Sequence, residues 1–260
     1  MTQVKTFRPL LTGIHRYDKT LSTRAHGQGT IIEAPILAYL IETKNGRILY
    51  DVGCDYEKIN QQDKRKQYYE NEEFPFGPPS MTADQKLQNR LYQLGLQPLD
   101  IDVVFISHLH FDHGGGLSTM QHADIHIHAK EFEAAHEPAD GAYFADDFNG
   151  EYLWQFQQQE YDIVAGVRAI ETPGHTAGHM SMMIELPKGK PIILAGDAAD
   201  LQENIDHEIA PGLCWHDRED LALQSIRKLK QLAAENEAKL WPNHDMQFFR
   251  QCIPFPGFYQ

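Results

Sequence analysis

The chain has 260 residues with 23 Lys and Arg against 37 Asp and Glu, and the formal charge of −14 at pH 7 argues against nucleic acid as a partner, since phosphate binding requires clustered basic side chains. With 42% apolar residues it can build a real core, and no interdomain linker shows, so residues 1–260 are expected to form one domain. The first eight residues lack an apolar signal core, no run is long enough to span a membrane, and Cys54, Cys214 and Cys252 are scattered without a Cys-x-x-Cys pair, all of which points to the cytoplasm.

In chain order, residues 31–42 and 47–52 read as paired strands across Asn45-Gly46, a strong hairpin signal. Residues 55–80 are polar and aromatic, end in Phe74-Pro75-Phe76, and break the strand pattern, as an insertion or lid would. Residues 82–94 read as a helix with Leu87, Leu91 and Leu94 at helical spacing, and 101–107 as a buried strand. Residues 124–128 alternate aspartate and histidine with isoleucine, which places His126 and His128 on one face of a half-buried strand. A short helix over 130–136 precedes a second aromatic, polar insertion at 138–160. Strands return at 167–172, 179–186, 191–195 and 239–242, with an amphipathic helix over 220–235 that repeats Leu221, Leu223, Ile226, Leu229 and Leu232. Periodicity alone supports a mixed α and β fold.

Three imidazoles and a carboxylate crowd into His108-Leu109-His110-Phe111-Asp112-His113, between the 101–107 strand and Gly114-Gly115-Gly116. In extended backbone, residues two apart point the same way, so His108 and His110 can grip one ion while the adjacent Asp112 and His113 serve a second. This donor set suits zinc, iron, manganese or cobalt. Three further strand ends each deliver one ligand type to a loop: His175 in Thr172-Pro173-Gly174-His175, Asp197 after Leu194-Ala195-Gly196, and His244 after Trp241-Pro242-Asn243. His179 is either an outer support for these groups or a structural histidine.

This order of ligands resembles the metallo-β-lactamase superfamily and, within it, the N-acyl-homoserine lactonase branch, to which His108 to Gly116, the Thr-Pro-Gly-His-x-x-Gly-His run and Gly196-Asp197-Ala198-Ala199 are similar. The resemblance runs from about Ile31 to the end. It implies a four-layer αββα sandwich, an α/β (α+β) fold, holding two divalent ions, zinc foremost. His108, His110 and His175 would hold the first ion, Asp112, His113 and His244 the second, and Asp197 would bridge, with Asp51 supporting the ligands from behind. The implied reaction opens the lactone ring with a hydroxide held between the ions, and Asp112 is placed to carry a proton to the leaving oxygen.

One position departs from the pattern. Many lactonases of this branch have a tyrosine three residues after the bridging aspartate, where Asp200 stands here. An ionised aspartate accepts hydrogen bonds and cannot donate one to a carbonyl, so Asp200 is expected beside the substrate without polarising it. An acyl chain needs an apolar channel, for which Phe111, Tyr143, Phe144, Trp154 and Phe156 are the candidates. Another lactone, or a thioester of the glyoxalase II kind, is the alternative substrate. The partner expected is a small acyl lactone, and the chain is expected as a monomer or homodimer.

Overall fold

The computed structural model describes residues 2–137 and 141–260, so residue 1 and the first three positions of the expected 138–160 insertion lie outside it. Strands β1 (Val4–Asp18), β2 (Ile31–Thr43), β3 (Arg47–Tyr50), β4 (Val103–Phe105), β5 (Asp124–His128) and β6 (Leu153–Gln157) form one sheet in that spatial order. A second sheet runs β11 (Lys239–Trp241), β10 (Ile192–Leu194), β9 (Met180–Ile184), β8 (Val167–Glu171) and β7 (Tyr161–Val164).

Alternation along the strands explains the layers. In β2, Leu37, Tyr39 and Ile41 join Tyr50 and Phe105 against Val167, Met180, Met182 and Trp241 of the second sheet, which makes the inter-sheet core. Ala38 and Leu40 face the opposite way and pack with Val104, Ile125 and Ile127 against Leu87, Leu91 and Leu117, under the outer helices. On the far side, helix Glu219–Glu235 lays Leu229 onto Ile170 and Ile193, and each such buried aliphatic side chain contributes about 1.5–3 kcal/mol. The result is helix, sheet, sheet, helix, as the resemblance implies.

The 31–42 and 47–52 pair forms as expected, with Tyr39 opposite Tyr50 in an antiparallel ladder. Strand β1 escapes the sequence reading because Pro9 lies within it and a register shift falls between Leu11 and Gly13. Both are tolerated because β1 is an edge strand. The helix expected over 82–94 is divided. A one-turn 3-10 segment, Ala83–Gln85, is closed by Thr82 and Gln85, and the α-helix proper is Leu87–Gln93.

The 138–160 stretch needs a correction, since it contains β6, the outermost strand of the larger sheet, paired in parallel with β5. Its aromatic crowding is the packing of that strand: Trp154 and Phe156 contact Phe132 at ring distances of 5.2 and 5.0 Å. Residues 55–80 fold as helices Tyr56–Asn60 and Gln62–Tyr69 and a following loop. Ile59, Tyr69 and Phe74 from this segment bury against Phe111 and Phe144. A buried ion pair, Lys58 Nζ to Asp147 Oδ1 at 2.8 Å, ties the two segments together.

Candidate metal centre

Strand ends position the cluster. The chain leaves β4 into Ser107 and His108, leaves β10 into Asp197, and leaves β11 into Asn243 and His244, while His175 sits in the turn between β8 and β9. The short helix Phe111–Gly114 turns Asp112 and His113 back toward His108. Its exit needs glycine, because a Cβ on Gly115 would lie 2.4 Å from the Phe111 carbonyl oxygen and one on Gly116 2.4 Å from that of Val52.

All seven expected ligands meet. His108, His110 and His175 form one group, His108, His113 and Asp197 a second, and Asp112, His113 and His244 a third, with the ligating atoms of each group within 4.8 Å of one another. Asp197 stands between the sides: its Oδ2 is 3.6 Å from His175 Nε2, and its Oδ1 is 3.3 Å from His113 Nε2 and 3.2 Å from His244 Nε2. Asp112 Oδ2 lies 3.8 Å from His113 Nε2 and 3.7 Å from His244 Nε2.

Outer partners turn the rings inward. His113 Nδ1 donates to Asp51 Oδ2 at 2.8 Å, and His244 Nδ1 donates to the Pro35 carbonyl at 2.9 Å. His175 Nδ1 donates to the Leu213 carbonyl at 3.2 Å. Asp51 also accepts from the Ser107 amide (2.7 Å) and hydroxyl (2.8 Å), and that hydroxyl lies 3.0 Å from His108 Nδ1. Asp51 thus stands behind two of the histidines, in a left-handed backbone conformation (φ 60°) that a non-glycine residue adopts only when its surroundings hold it there. His179 acts as an outer support: its Nε2 accepts from the Asp197 amide at 2.9 Å, and its Nδ1 faces Thr172. Burial, then His175, lowers its pKa to about 3, so it serves as a neutral ring.

The donor set fits divalent cations. The Nε2 atoms of His108 and His113 are buried without a hydrogen-bond partner among the described residues, as free ligand lone pairs would be. Burial, then His113 and His110, holds the pKa of His108 well below the usual range. For His244, burial works against the charge, but Asp197 and the other carboxylates raise the pKa to about 10. Burial likewise opposes charge on His113 and is outweighed by Asp197, Asp112 and Asp51. Cations entering the site would replace those protons.

Glu131 is a member of the site that sequence reasoning missed. It is fully buried. Its Oε1 accepts from the Leu109 amide (3.0 Å) and the Tyr143 hydroxyl (2.8 Å), and its Oε2 from the Thr176 hydroxyl (2.5 Å) and the Gly178 amide (3.2 Å). One carboxylate therefore clamps the loops on either side of His110 and His175. No motif announces it, since a glutamate in a short helix is ordinarily a surface residue. His15, on β1, was missed as well, because that strand escaped the sequence reading. Its ring packs 5.7 Å from that of Phe111, and burial lowers its pKa to about 4.

The expected pocket residues separate. Phe111 and Phe144 stack at 5.3 Å, and Tyr143 lies 4.6 Å from the His110 ring beside a cavity of about 270 Å³ that also touches His175, Leu213 and Trp215. Trp154 and Phe156 lie on β6, with ring contacts to Phe132 and to each other and none to the clustered histidines. Asp200 is found within the carboxylate group, its ligating atom within 4.8 Å of those of Asp197 and His244.

The family model of the metallo-beta-lactamase superfamily matches residues 32–244. The chain belongs to that superfamily. It is 32% identical over 232 residues to an N-acyl homoserine lactonase of a Bacillus species, covering 88% of this chain and 89% of that relative. It is also 29% identical over 256 residues to the N-acyl homoserine lactonase AttM of Rhizobium radiobacter, covering 92% and 95%. Among solved structures it is similar to an N-acyl homoserine lactone hydrolase carrying the product N-hexanoyl-L-homoserine at its catalytic metal centre, with a TM-score of 0.88, 28% identity, and coverage of 99% of this chain and 100% of that one. The lactonase names of these relatives, and the catalytic metal centre of the solved structure, agree with the ligand groups described above.

Proposed function

We propose that this chain hydrolyses the lactone ring of N-acyl homoserine lactones, and so quenches quorum signalling, with two divalent ions held by its histidine–aspartate cluster. The observation that carries this reading is the pair of histidine groups meeting at Asp197, in a chain whose relatives named N-acyl homoserine lactonase align over most of its length. His108, His110 and His175 would hold one ion and Asp112, His113 and His244 the other, with Asp197 shared. Bound there, two cations supply a Lewis acid for the lactone carbonyl and lower the pKa of water toward neutrality.

The chain's own groups do the rest. Asp112 is the proton carrier in this reading. Its side chain keeps 14% of its surface accessible, against 1% for His113, so it can reach the alkoxide leaving the opened ring. Phe111 and Phe144 supply an apolar wall, and Tyr143 borders the cavity beside His175. Trp154 and Phe156 are left out of the pocket.

Zinc is the metal we assign first, because three imidazoles with one carboxylate suit it; iron, cobalt and manganese suit the same donors less closely. We take the whole chain as one catalytic domain, a monomer or homodimer acting in the cytoplasm, a reducing compartment in keeping with three cysteines that form no disulfide. No helix among the described residues is long and apolar enough to cross a membrane.

Ring opening releases an acid, so a pH indicator reports turnover. The test is a panel of short- and long-chain acyl-homoserine lactones, an unrelated lactone and a glutathione thioester. Fastest turnover of the acyl-homoserine lactones is expected. A thioester hydrolysed far faster would overturn the substrate while leaving the superfamily intact.

A further inference from the structure

We propose that Asp200 is an additional ligand of the ion held by His113 and His244, so that this position is richer in oxygen than its neighbour; the proposal rests on the dinuclear reading above. Asp200 and His244 lie side by side, since the His244 amide donates to the Asp200 carbonyl at 2.8 Å. The ligating atoms of Asp197, Asp200 and His244 all fall within 4.8 Å of one another. Asp200 is only 4% exposed, and its Oδ1 is buried without a hydrogen-bond partner among the described residues.

A buried carboxylate oxygen with no donor is costly. Beside a second buried carboxylate it is more so, because like charges in a site of low dielectric repel. No lysine or arginine among the described residues forms an ion pair with Asp200. A divalent cation between Asp200, Asp197 and His244 satisfies the free oxygen and relieves the repulsion in one step. The tyrosine that many relatives of this branch are expected to carry here would have no carboxylate to offer, so the inference concerns this chain's own residue.

The two positions then differ in character. One has three imidazoles and a share of Asp197, and the other has His113 and His244 with Asp112, Asp197 and Asp200. Oxygen donors favour harder ions such as Mn²⁺, whereas imidazole-rich sites suit Zn²⁺. The second position should therefore hold Mn²⁺ better than the first does.

The test uses the full chain loaded with Mn²⁺ and titrated with a chelator, the released ion being followed by electron paramagnetic resonance, with a parallel series in Zn²⁺ followed by a colorimetric zinc indicator, since Zn²⁺ has no unpaired electron. Wild type, Asp200→Ala, Asp200→Asn and His244→Ala are compared. In Asp200→Ala one of the two Mn²⁺ ions should leave at a chelator concentration at least ~10-fold lower, since even outer partners of ligands change affinity by roughly 10–100-fold. The other ion should be held as in wild type, and the Zn²⁺ series should shift less. Asp200→Asn, which keeps an amide oxygen, should fall between. Thermal melts supply a second readout: with the buried carboxylate gone, the metal-free variants should melt at or above metal-free wild type, while the loaded variants melt below loaded wild type. Both ions held as tightly as in wild type by Asp200→Ala would overturn the proposal, and a raised KM alone would then assign Asp200 to the substrate. A wild type that binds one ion only would instead remove the dinuclear reading itself.

Discussion

At the scale of single residues, the centre gives four of its histidines an outer partner that fixes the ring direction. Asp51, Pro35, Leu213 and Ser107 each occupy the far nitrogen of a histidine, which leaves the near nitrogen for the cluster. Asp112 differs in being a ligand with some freedom. If it carries the proton to the leaving oxygen, Asp112→Asn should keep the fold yet lose turnover by ~10²-fold or more. Steady-state kinetics with metal content measured on the same sample checks this, and near-normal turnover with both ions bound would exclude the role. Glu131 makes a different prediction. Glu131→Gln retains the size of the side chain but replaces one acceptor oxygen with a donor, which faces either the Leu109 amide and Tyr143 hydroxyl or the Gly178 amide and Thr176 hydroxyl. The loops bearing His110 and His175 should loosen, with metal affinity falling roughly 10–100-fold and kcat falling more than KM. An unchanged metal affinity at a lowered melting temperature would show that Glu131 serves stability alone.

At the scale of elements, the two segments at 55–80 and 141–157 are held to each other before they are held to the site. Lys58 lies between Asp147 and the rings of Tyr68 and Phe144, at 4.2 and 5.3 Å from their centroids. Burial raises the pKa of Asp147 from 3.8 to about 7, with Lys58 only partly opposing it. The folded chain therefore keeps, between about pH 4 and pH 7, a proton that the unfolded chain has lost. Stability from this group is highest at the acid end of that window and falls as pH rises through it, by a few kcal/mol at most. Urea unfolding at several pH values should show this fall in wild type and a shallower one in Asp147→Asn. By the same linkage the variant should gain on wild type as pH rises through 7, because the buried ionised carboxylate that costs the folded wild type is absent from it. Equal slopes in the two proteins would mean that Asp147 titrates near its ordinary value when folded. Because Phe144 stacks on Phe111, next to Asp112, a change in this pair should reach substrate binding as well as stability.

At the scale of the whole molecule, two sheets meet with their strand ends gathered at one edge, and that edge receives ligands and the groups that orient them from residues as far apart as 51 and 244. Ions held there join β3, β4, β10 and β11, so removing them should weaken the molecule as a unit. We expect about two divalent ions per chain by elemental analysis, and a lower melting temperature after chelation, since binding to the folded state alone stabilises it. His175→Ala and His244→Ala should each retain about one. A fully active protein, never exposed to chelator, that contains a single ion would exclude the dinuclear centre. The acidic balance of −14 makes the chain a poor binder of polyanions, and the cations offset it where the substrate carbonyl must be drawn in.

The linear chain already determined the set of metal-ligating side chains. His108 to His113 is a local cluster, and the residues that complete it each stand at the end of a strand or in a turn, where periodicity and Pro-Gly signals place them. The β2–β3 hairpin and the long helix near the C-terminus were legible for the same reason, since each carries its own repeat of two or of about 3.6. What tertiary structure decided was everything that depends on neighbours from distant segments. Strand β1 holds because it is an edge, which Pro9 alone could not reveal. Trp154 and Phe156 look like pocket residues until β6 pairs with β5 and carries them to Phe132. Glu131 becomes a clamp only when the loops of His110 and His175 close around it. Asp200 reads as a substrate neighbour along the chain, and folding places it among carboxylates instead. Ligand types and strand periods are properties of short stretches of chain, whereas burial, charge repulsion and hydrogen-bond satisfaction arise only between segments that folding brings together.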